Sequence, residues 1–433
     1  MKNITTLLVI TITIFAFSFS GCEKNPFKPG EDNDEHPIVW QYKYDIHKTG
    51  SNVIPAMDEN GNIYFSIQNG ERQKDVYIFA NDKDGNAFWD KHYSSTNYVD
   101  ISRVMYIDNK VVYTVAVYDE LYGYKESIYC LNATNGTEIW QYSPNFETKK
   151  IITTMAATSE YLVVGAKWGG EYPNISELHY LSLSDGSLVK SIDFGDDEVQ
   201  FISIVENDIY LGVLSVAQGH YAAQVHKMNL ESNITNWVYQ PEYPDEDAYI
   251  FKQRSLAIDA NGRVICVIGS SSSPQPATIY VISNNGTLAN TVPIPMQNSG
   301  MVYDFVIDND NNFYTAILDF AKYTPDGNQI WEFYSGTTVP NSNFRTGSIL
   351  GDNGVVYHAE NGGILNVNTI GEIEWAKYDE TNFTKPGYPL LTNDGNMIVV
   401  GDLFVTCVKG DGAKIQNAPW PRVFCNNGNT SSR

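Results

Sequence analysis

Residue types that act as catalysts or metal ligands are present in this 433-residue sequence, but their spacing fits no catalytic or metal-binding motif. The seven histidines show no ligand spacing, and there is no CxxC, HExxH, GxSxG or phosphate-loop pattern. The run 308–312, DNDNN, begins like a calcium loop but lacks the glycine at the sixth position and the glutamate at the twelfth, so we predict a turn. Asp119, Glu120 and Glu171 are the nearest approach to the convergent carboxylates of a hydrolase or lyase. We therefore predict no catalytic residue, no metal site and no cofactor, and a protein that is not an enzyme.

The chemistry that the sequence does offer is that of a binding surface. Aromatic and acidic residues concentrate in five segments, 118–125, 168–175, 218–223, 240–250 and 270–277. Tyrosine and tryptophan combine an apolar body with a polar tip, which suits both protein interfaces and sugar platforms. The competing interpretation is that these segments are tolerated loop insertions. The candidate binding residues are Tyr118, Tyr122, Tyr124, Trp168, Glu171, Tyr172, Tyr243 and Tyr249.

The elements that must position these segments are short strands joined by tight turns. The stretch 127–143, SIYCLNATNGTEIWQYS, holds a strand, an Asn-Gly turn and a second strand that ends in Trp-Gln-Tyr. This unit occurs eight times at a spacing of roughly 41 to 53 residues, which is the period of a propeller blade. The tryptophan is missing at Leu188–Ser191, Asn290 and Gln416. The repeated turn glycines are Gly85, Gly136, Gly186, Gly286, Gly327, Gly371 and Gly412, and the repeated tryptophans are Trp40, Trp89, Trp140, Trp237, Trp331 and Trp375.

A second pair of strands precedes each unit, so each repeat contains four strands. No apolar stripe of helical period and length follows the first 20 residues. Sheets of this kind can bury both faces by packing radially, and we predict an all-β, eight-bladed β-propeller of four-stranded antiparallel blades. The strand 38–44 repeats Trp-Gln-Tyr without a preceding hairpin. We predict that it completes the last blade and closes the ring, with residues 413–419 as the competitor for that place.

The turn 132–136 followed by Trp140 resembles the repeat of quinoprotein-like, or PQQ-repeat, eight-bladed β-propellers, whose pattern is aspartate, three residues, glycine, three residues, tryptophan. The resemblance covers roughly residue 38 onwards and implies that the tryptophans dock between neighbouring blades. Quinone-dependent dehydrogenases of this fold are known for adjacent cysteines and a calcium-bound cofactor. Since the sequence has no adjacent cysteines, the resemblance implies the fold and not the oxidoreductase activity.

The first 37 residues have the layout of an export leader and a tether. Residues 1–21 hold Lys2 and an apolar run too short for a membrane span, which is typical of a signal peptide. The small residues before Cys22 resemble a bacterial lipobox, which implies acylation of Cys22; an ordinary signal peptide with an incidental cysteine is the alternative. Residues 22–37 are polar and acidic, so we predict a flexible tether, and residues 38–433 form the propeller. We expect a lipid-anchored protein of the bacterial cell envelope, at the outer membrane.

The charge limits the classes of partner, and the cysteine positions bear on disulfide bonding. The formal net charge of −23 disfavours nucleic acid and direct adsorption to anionic lipid headgroups. Cys130 and Cys266 fall in strands of different repeats, so we predict buried free thiols. Cys407 and Cys425 lie near the end of the sequence, where a disulfide that clasps the C-terminus and two free thiols are both open.

Two classes of function remain. In anchor, tether, fold and size the sequence resembles the propeller lipoprotein of the β-barrel assembly machinery, which implies a non-catalytic scaffold that binds envelope proteins through one loop-rich face. The alternative is a surface glycan-binding lipoprotein that uses Trp168, Tyr122 and Tyr172 as stacking platforms. We predict the scaffold, and we expect a monomer.

Overall fold

The structure is a computed structural model, and its described part is entirely β. It describes residues 36–44, 53–69, 74–96, 98–119, 123–144, 150–168, 175–217, 220–242, 249–270, 277–293, 305–316, 320–333, 345–360, 362–379, 383, 386–422, 424–426 and 428–433. Within these residues there are 33 strands and no helix. No helix among them could therefore cross a membrane.

The strands are short and follow one another through tight turns. In chain order they are β1 (Ile38–Lys43), β2 (Ala56–Met57), β3 (Ile63–Gln68), β4 (Asp75–Asn81), β5 (Ala87–Ser94), β6 (Val99–Ile101), β7 (Met105–Ile107), β8 (Lys110–Asp119), β9 (Gly123–Asn132), β10 (Glu138–Tyr142), β11 (Lys150–Ala157), β12 (Tyr161–Trp168), β13 (Ile175–Ser182), β14 (Leu188–Gly195), β15 (Glu198–Val205), β16 (Asp208–Ala217), β17 (His220–Asn229), β18 (Thr235–Tyr239), β19 (Tyr249–Ile258), β20 (Val264–Ser270), β21 (Ala277–Ile282), β22 (Leu288–Pro293), β23 (Phe305–Ile307), β24 (Phe313–Ala316), β25 (Phe320–Tyr323), β26 (Gln329–Phe333), β27 (Arg345–Leu350), β28 (Val356–Glu360), β29 (Gly363–Val367), β30 (Ile373–Tyr378), β31 (Leu390–Leu391), β32 (Met397–Val400) and β33 (Phe404–Val408).

These strands form the predicted eight blades, each an antiparallel meander. Blades 1 to 7 are β2–β5, β6–β10, β11–β14, β15–β18, β19–β22, β23–β26 and β27–β30, and in blade 2 the inner strand is split into β6 and β7, which both pair with β8. Blade 8 is β31–β33 completed by β1, with Trp40 opposite Cys407 and Lys43 opposite Phe404. The predicted ring closure by the N-terminal strand is therefore confirmed. Residues 413–419 do not take that place.

The hydrophobic core lies between neighbouring blades. Inner and middle strands are mostly buried, and β29 and β32 are buried along their whole length, because a blade packs against each of their faces. Outer strands such as β5 and β14 alternate between exposed and partly buried residues, because only one face is covered. One such core joins Phe65 of blade 1 to Val405 of blade 8. The apolar strand pattern thus predicts which strands are internal.

The repeated tryptophans hold adjacent blades together. A Cβ on Gly186 would lie 2.7 Å from the Trp140 ring, so only glycine lets the ring of one blade pack on the turn of the next. The Trp140 indole also donates a hydrogen bond of 3.1 Å to the carbonyl of Leu183 in that turn. The interblade docking implied by the resemblance is confirmed. The same bond joins Trp40 to Lys83, Trp89 to Ala133, Trp237 to Asn284 and Trp331 to Thr369.

Two of the junctions without tryptophan keep the bond with another donor. Lys190 donates from Nζ to the carbonyls of Leu230 and Glu231 at 3.0 and 3.1 Å, and the Asn290 amide donates to the carbonyl of Asp326. The position therefore requires a side-chain N–H donor more than it requires indole.

The junction between blades 7 and 8 departs from the predicted motif. Trp375 is buried but does not dock on Gly412, around whose Cβ position no atom lies within 4 Å. Instead Trp375 stacks on His36 with ring centroids 4.1 Å apart, and His36 Nδ1 lies 2.9 Å from the carbonyl oxygen of Lys409. The physical reason is that β33 is followed by a segment that leaves the blade and not by an outer strand. His36, beside β1, thus makes the contact of the missing repeat.

That segment, residues 410–433, is here called the closing segment; its residues 423 and 427 lie outside the described part. It crosses the ring centre and bonds to an inner strand of every blade, or to a residue beside one. Arg422 is fully buried and donates to the carbonyls of Pro389 and Pro55 at 2.9 and 3.0 Å, which belong to blades 8 and 1. The bonds to blades 2 to 7, in that order, are Tyr106 N to Gly428 O, Ala157 N to Thr430 O, Ile204 N to Ser431 O, Arg433 Nη2 to Asp259 O, Ile307 N to Trp420 O and Leu350 N to Pro421 O.

The cysteines are all free and buried in the described residues. This confirms the prediction for Cys130 and Cys266, but the disulfide left open for Cys407 and Cys425 is not formed. Cys407 lies in the core between blades 8 and 1, whereas Cys425 packs in a different core with the closing segment. Burial raises the pKa of each of these two thiols to about 12, which disfavours the thiolate needed for exchange. Hydrogen bonds, not a disulfide, fix the closing segment.

We expect Trp140→Ala to lower the free energy of unfolding by about 3–5 kcal/mol, because it removes a buried ring and leaves a void beside Gly186. Urea unfolding followed by circular dichroism measures the change. Its neighbour Ile139 is 42% exposed, so Ile139→Ala is the matched control and should change stability by no more than about 0.5 kcal/mol. Equal effects of the two substitutions would contradict the role assigned to the interblade tryptophan.

Candidate functional site

The antiparallel meander divides the connections between two faces of the ring. One end of the ring, here called the turn face, holds the turn from first to second strand of every blade and the turn from third to fourth strand of blades 1 to 7. The hairpin loops from second to third strand and the connections to the next blade lie at the other end, here called the loop face. Most of the predicted binding segments therefore belong to the loop face, as the sequence indicated.

The loop face is uneven, because the central hairpins of blades 2 to 4 are longer than the others. Strands β8 and β9 have ten residues each, as do β16 and β17, and β12 and β13 have eight. The equivalent strands of blades 6 to 8 have four or five. The three long hairpins are here called the arms. They support the predicted asymmetry of the face.

The structure describes only part of the predicted binding surface. Tyr118 lies in β8 and is 37% exposed, and Trp168 is partly buried as the last residue of β12. Tyr124 and Tyr249 lie in β9 and β19, but their side chains are outside the described part. Tyr122, Glu171, Tyr172 and Tyr243 lie outside the described residues, as do Glu120 and Cys22.

The structure brings the arms of blades 2 and 3 together. Lys150 of β11 pairs with Lys125 of β9 in parallel and with Trp168 of β12 in antiparallel register. Because of this bridge, the strands of blades 2 and 3 form one continuous sheet at the loop face. Tyr118 and Trp168, predicted from separate segments, thus lie on adjoining arms.

Three further apolar residues of the arms were not among the candidate binding residues, although two of them, Ile175 and Tyr221, lie in predicted binding segments. Val117, Ile175 and Tyr221 are 37%, 42% and 43% exposed, respectively, near the loop ends of the arms. They extend the apolar, strand-forming sequence beyond the point where the blade core ends. That signal is present in the sequence, since β8 and β17 exceed the length of their counterparts in blades 6 to 8. Large apolar side chains that recur at one end of a fold mark interaction surfaces more often than scattered ones do.

Glu126 is a second residue that the sequence did not single out. Its carboxylate, in β9 of blade 2, accepts hydrogen bonds from the backbone N–H of Ile152 in blade 3 and from Thr114 Oγ1 at 3.1 Å. Burial, opposed by these bonds and assisted by Asp100, raises the pKa of Glu126 to about 7. Glu126 therefore joins the arms of the two blades. Next to it, Lys167 and Glu198 form an ion pair of 2.6 Å between blades 3 and 4.

The described residues contain no group of three or more His, Cys, Asp or Glu side chains that could hold a metal ion. At the calcium-like run, the Asp308 carboxylate accepts bonds from the backbone N–H groups of Asp310 and Asn312 and pairs with Lys322 at 3.1 Å. These contacts use the carboxylate to cap a turn, as predicted. Asp58 caps the corresponding turn of blade 1 in the same way, through Asn60 and Asn62.

Comparison with protein families identifies the group to which the propeller is related. The family model PQQ_2, described as "Outer membrane protein assembly factor BamB", matches residues 32–275, which is more than half of the sequence. The chain belongs to this family. The PQQ_2 match covers blades 1 to 4 and the first two strands of blade 5, so it includes the three arms. A search of curated proteins finds no match.

Solved structures similar to this PQQ_2 member share the propeller fold at low sequence identity. Quinohemoprotein alcohol dehydrogenase ADHIIG from Pseudomonas putida HK5 has 15% identity and a TM-score of 0.57, with 92% of this chain and 80% of that chain covered. The quinohemoprotein alcohol dehydrogenase from Comamonas testosteroni has 13% identity and the same TM-score, over 86% and 76%. The computationally designed Ika8 protein has 14% identity and a TM-score of 0.53, over 85% and 100%. At such identities the likeness shows the fold alone.

We expect the Glu126 carboxyl to make stability depend on pH. Its pKa is raised in the folded protein, so its contribution is fully present below pH 4.5 and is lost as the pH rises through about 7. The glutamine of Glu126→Gln stays neutral at every pH. Between pH 5 and 8 the free energy of unfolding of this variant should therefore fall by on the order of 2–3 kcal/mol less than that of the wild type. Urea midpoints of both proteins across that range measure it. A constant difference between the two proteins at every pH would contradict the assignment.

Proposed function

We propose that the protein is a non-catalytic, lipid-anchored scaffold of the bacterial envelope that binds another envelope protein through its arms. The observation that carries the proposal is the row of exposed apolar residues on three arms that are longer than the hairpins of blades 6 to 8. Val117 and Tyr118 contribute from blade 2, Ile175 from blade 3 and Tyr221 from blade 4. A partner that covers them removes apolar surface from water, which contributes about 25 cal/mol per Å² before the costs of association.

Membership of the PQQ_2 family supports an envelope role. The family description names an outer membrane protein assembly factor. Residues 1–21 and Cys22 provide a consistent route to that location, by export and acylation. The acidic tether then leads directly into β1, so an anchor at Cys22 would hold the whole ring through the strand that closes it.

The absence of catalysis is part of the proposal, although the similar dehydrogenases share the fold. A quinone cofactor needs space in the channel and the residues to hold it. The described channel beside Phe424 has a cavity of about 210 Å³, which is below the roughly 300 Å³ at which ligand pockets begin. Phe424 itself fills the centre, with the Arg103 guanidinium 3.6 Å from its ring centroid. This part of the channel therefore has no room for a quinone, and adjacent cysteines are lacking in the sequence.

We expect the variant Val117→Ser, Tyr118→Ser, Tyr221→Ser to lose at least tenfold in affinity for its envelope partner, because the anchoring apolar contacts are removed. The measurement is capture of one reproducible protein from detergent-solubilised envelope, followed by titration with that purified protein. The matched control is Leu188→Ser, Val189→Ser, Ile234→Ser, whose side chains are 48–64% exposed but lie on the outer strand of blade 3 and in a turn of blade 4.

Capture by the arm variant at wild-type strength would contradict the arm surface as a docking site. A protein that captures no partner but binds a glycan on an array, with the binding lost in Trp168→Ala, would support the glycan-binding alternative instead.

We expect Cys22→Ala to move the protein from the membrane pellet to the soluble envelope fraction, since the acceptor of the lipid is removed. Fractionation of cells that express each form measures this, with Cys130→Ala as a control that keeps the anchor. An unchanged distribution would contradict the lipobox interpretation.

A further inference from the structure

The turn face carries a large cavity that the proposed function does not use. The cavity has a volume of about 780 Å³, within the range of ligand pockets. One wall consists of the first turns of blades 1 to 4 and blade 8, and the other wall is the closing segment. The cavity therefore exists only because the closing segment crosses the ring centre. It lies at the opposite end of the ring from the arms.

The base of this cavity is apolar. Met57, Ile204 and Cys425 line it and are each less than 5% exposed, and Ile415 and Pro421 of the closing segment continue the apolar surface. Covering an apolar base of this kind with another apolar group removes both surfaces from water, which is favourable.

The rim of the cavity is acidic. Glu59, Asp108 and Glu206 project from the first turns of blades 1, 2 and 4, and all three are exposed. Within the described residues none of them lies in an ion pair, and Glu59 accepts a hydrogen bond of 2.9 Å from the Tyr106 hydroxyl. The cation in the lining, Arg433, donates its guanidinium to the Asp259 carbonyl. The three carboxylates outnumber the two cations beside them, Arg433 and Lys110, whose Nζ donates to the Asp108 carbonyl at 3.3 Å. The rim is therefore negative overall. An apolar base inside an anionic rim describes a ligand that is cationic and partly apolar.

We propose that the turn-face cavity binds a short basic segment of a partner protein, in which lysine or arginine alternates with large apolar residues. The apolar side chains cover Met57 and Ile204, and the cationic groups reach Glu59, Asp108 and Glu206. A bare metal ion would not use the apolar base, and an anion would be repelled by the rim. This site is independent of the arms, so it stands or falls separately from the proposed scaffold function.

The test is calorimetric titration of the whole soluble propeller with the capped hexapeptide Lys-Leu-Lys-Leu-Lys-Leu at low salt. Two control peptides replace every lysine by glutamate or every leucine by serine. We expect saturable binding of the first peptide only, weakening at least tenfold at high salt because rim charges in water are screened. Saturable binding of the glutamate peptide, or no binding of the lysine peptide, would overturn the proposal.

Two variants locate the peptide. Glu59→Gln, Asp108→Asn, Glu206→Gln should weaken binding at least tenfold, whereas Glu138→Gln, Glu231→Gln, Glu374→Gln changes the net charge equally at exposed sites elsewhere and should not. Ala418→Trp fills the cavity from the closing segment without removing charge and should abolish binding. Equal weakening by the two charge variants would show non-specific attraction and overturn the site, as would unaltered binding by Ala418→Trp. Circular dichroism confirms that each variant is folded.

Discussion

Closure of the ring is the constraint on which the rest of this structure depends. A radial array of sheets is free of open edges only if its first and last blades are joined. In this ring β1 joins them through two separate contacts. β1 pairs with β33 as the outer strand of blade 8, and Trp40 within it docks on Gly85 of blade 1. The same six residues therefore complete the last sheet and form the first interblade junction. Loss of β1 would open both.

The closing segment is a second closure, built from irregular backbone. It satisfies its polar groups by bonding across the ring centre, where the inner strands expose N–H and C=O groups that no neighbouring strand covers. Arg422 and Asn429 are the main crossing points, and both are completely buried. A buried guanidinium is tolerated here because its N–H groups donate hydrogen bonds to the carbonyl oxygens of Pro389 and Pro55 and to the amide oxygen of Asn429. The closing segment thus fills the ring channel from the turn-face end and leaves a recess there.

The sequence predicts the repeated parts of the structure and misses the parts that occur once. Periodic Asn-Gly turns followed by tryptophan predict eight blades, since each unit meets the same local demands. The donors Lys190 and Asn290 could not be recognised, because their equivalence to tryptophan appears only when the next turn lies beside them. Residues 410–433 have no period, so their path across eight inner strands depends entirely on tertiary contacts. For the same reason proximity in sequence suggested a Cys407–Cys425 disulfide, although the two side chains belong to different cores.

The two faces also differ in how they would sit relative to a membrane. β1 begins beside the Lys409 turn, so the tether leaves the ring at the turn face, and the arms point the opposite way. A fully extended tether of residues 22–37 spans at most about 55 Å, so an anchor at Cys22 restricts the ring to a shallow layer without fixing its tilt. In that arrangement the arms remain accessible to a partner whose bulk lies away from the lipid. The turn-face cavity, next to the tether, would meet segments that emerge close to the membrane surface. Under the two proposals the arms and this cavity would therefore take separate partners, because they lie at opposite ends of one ring.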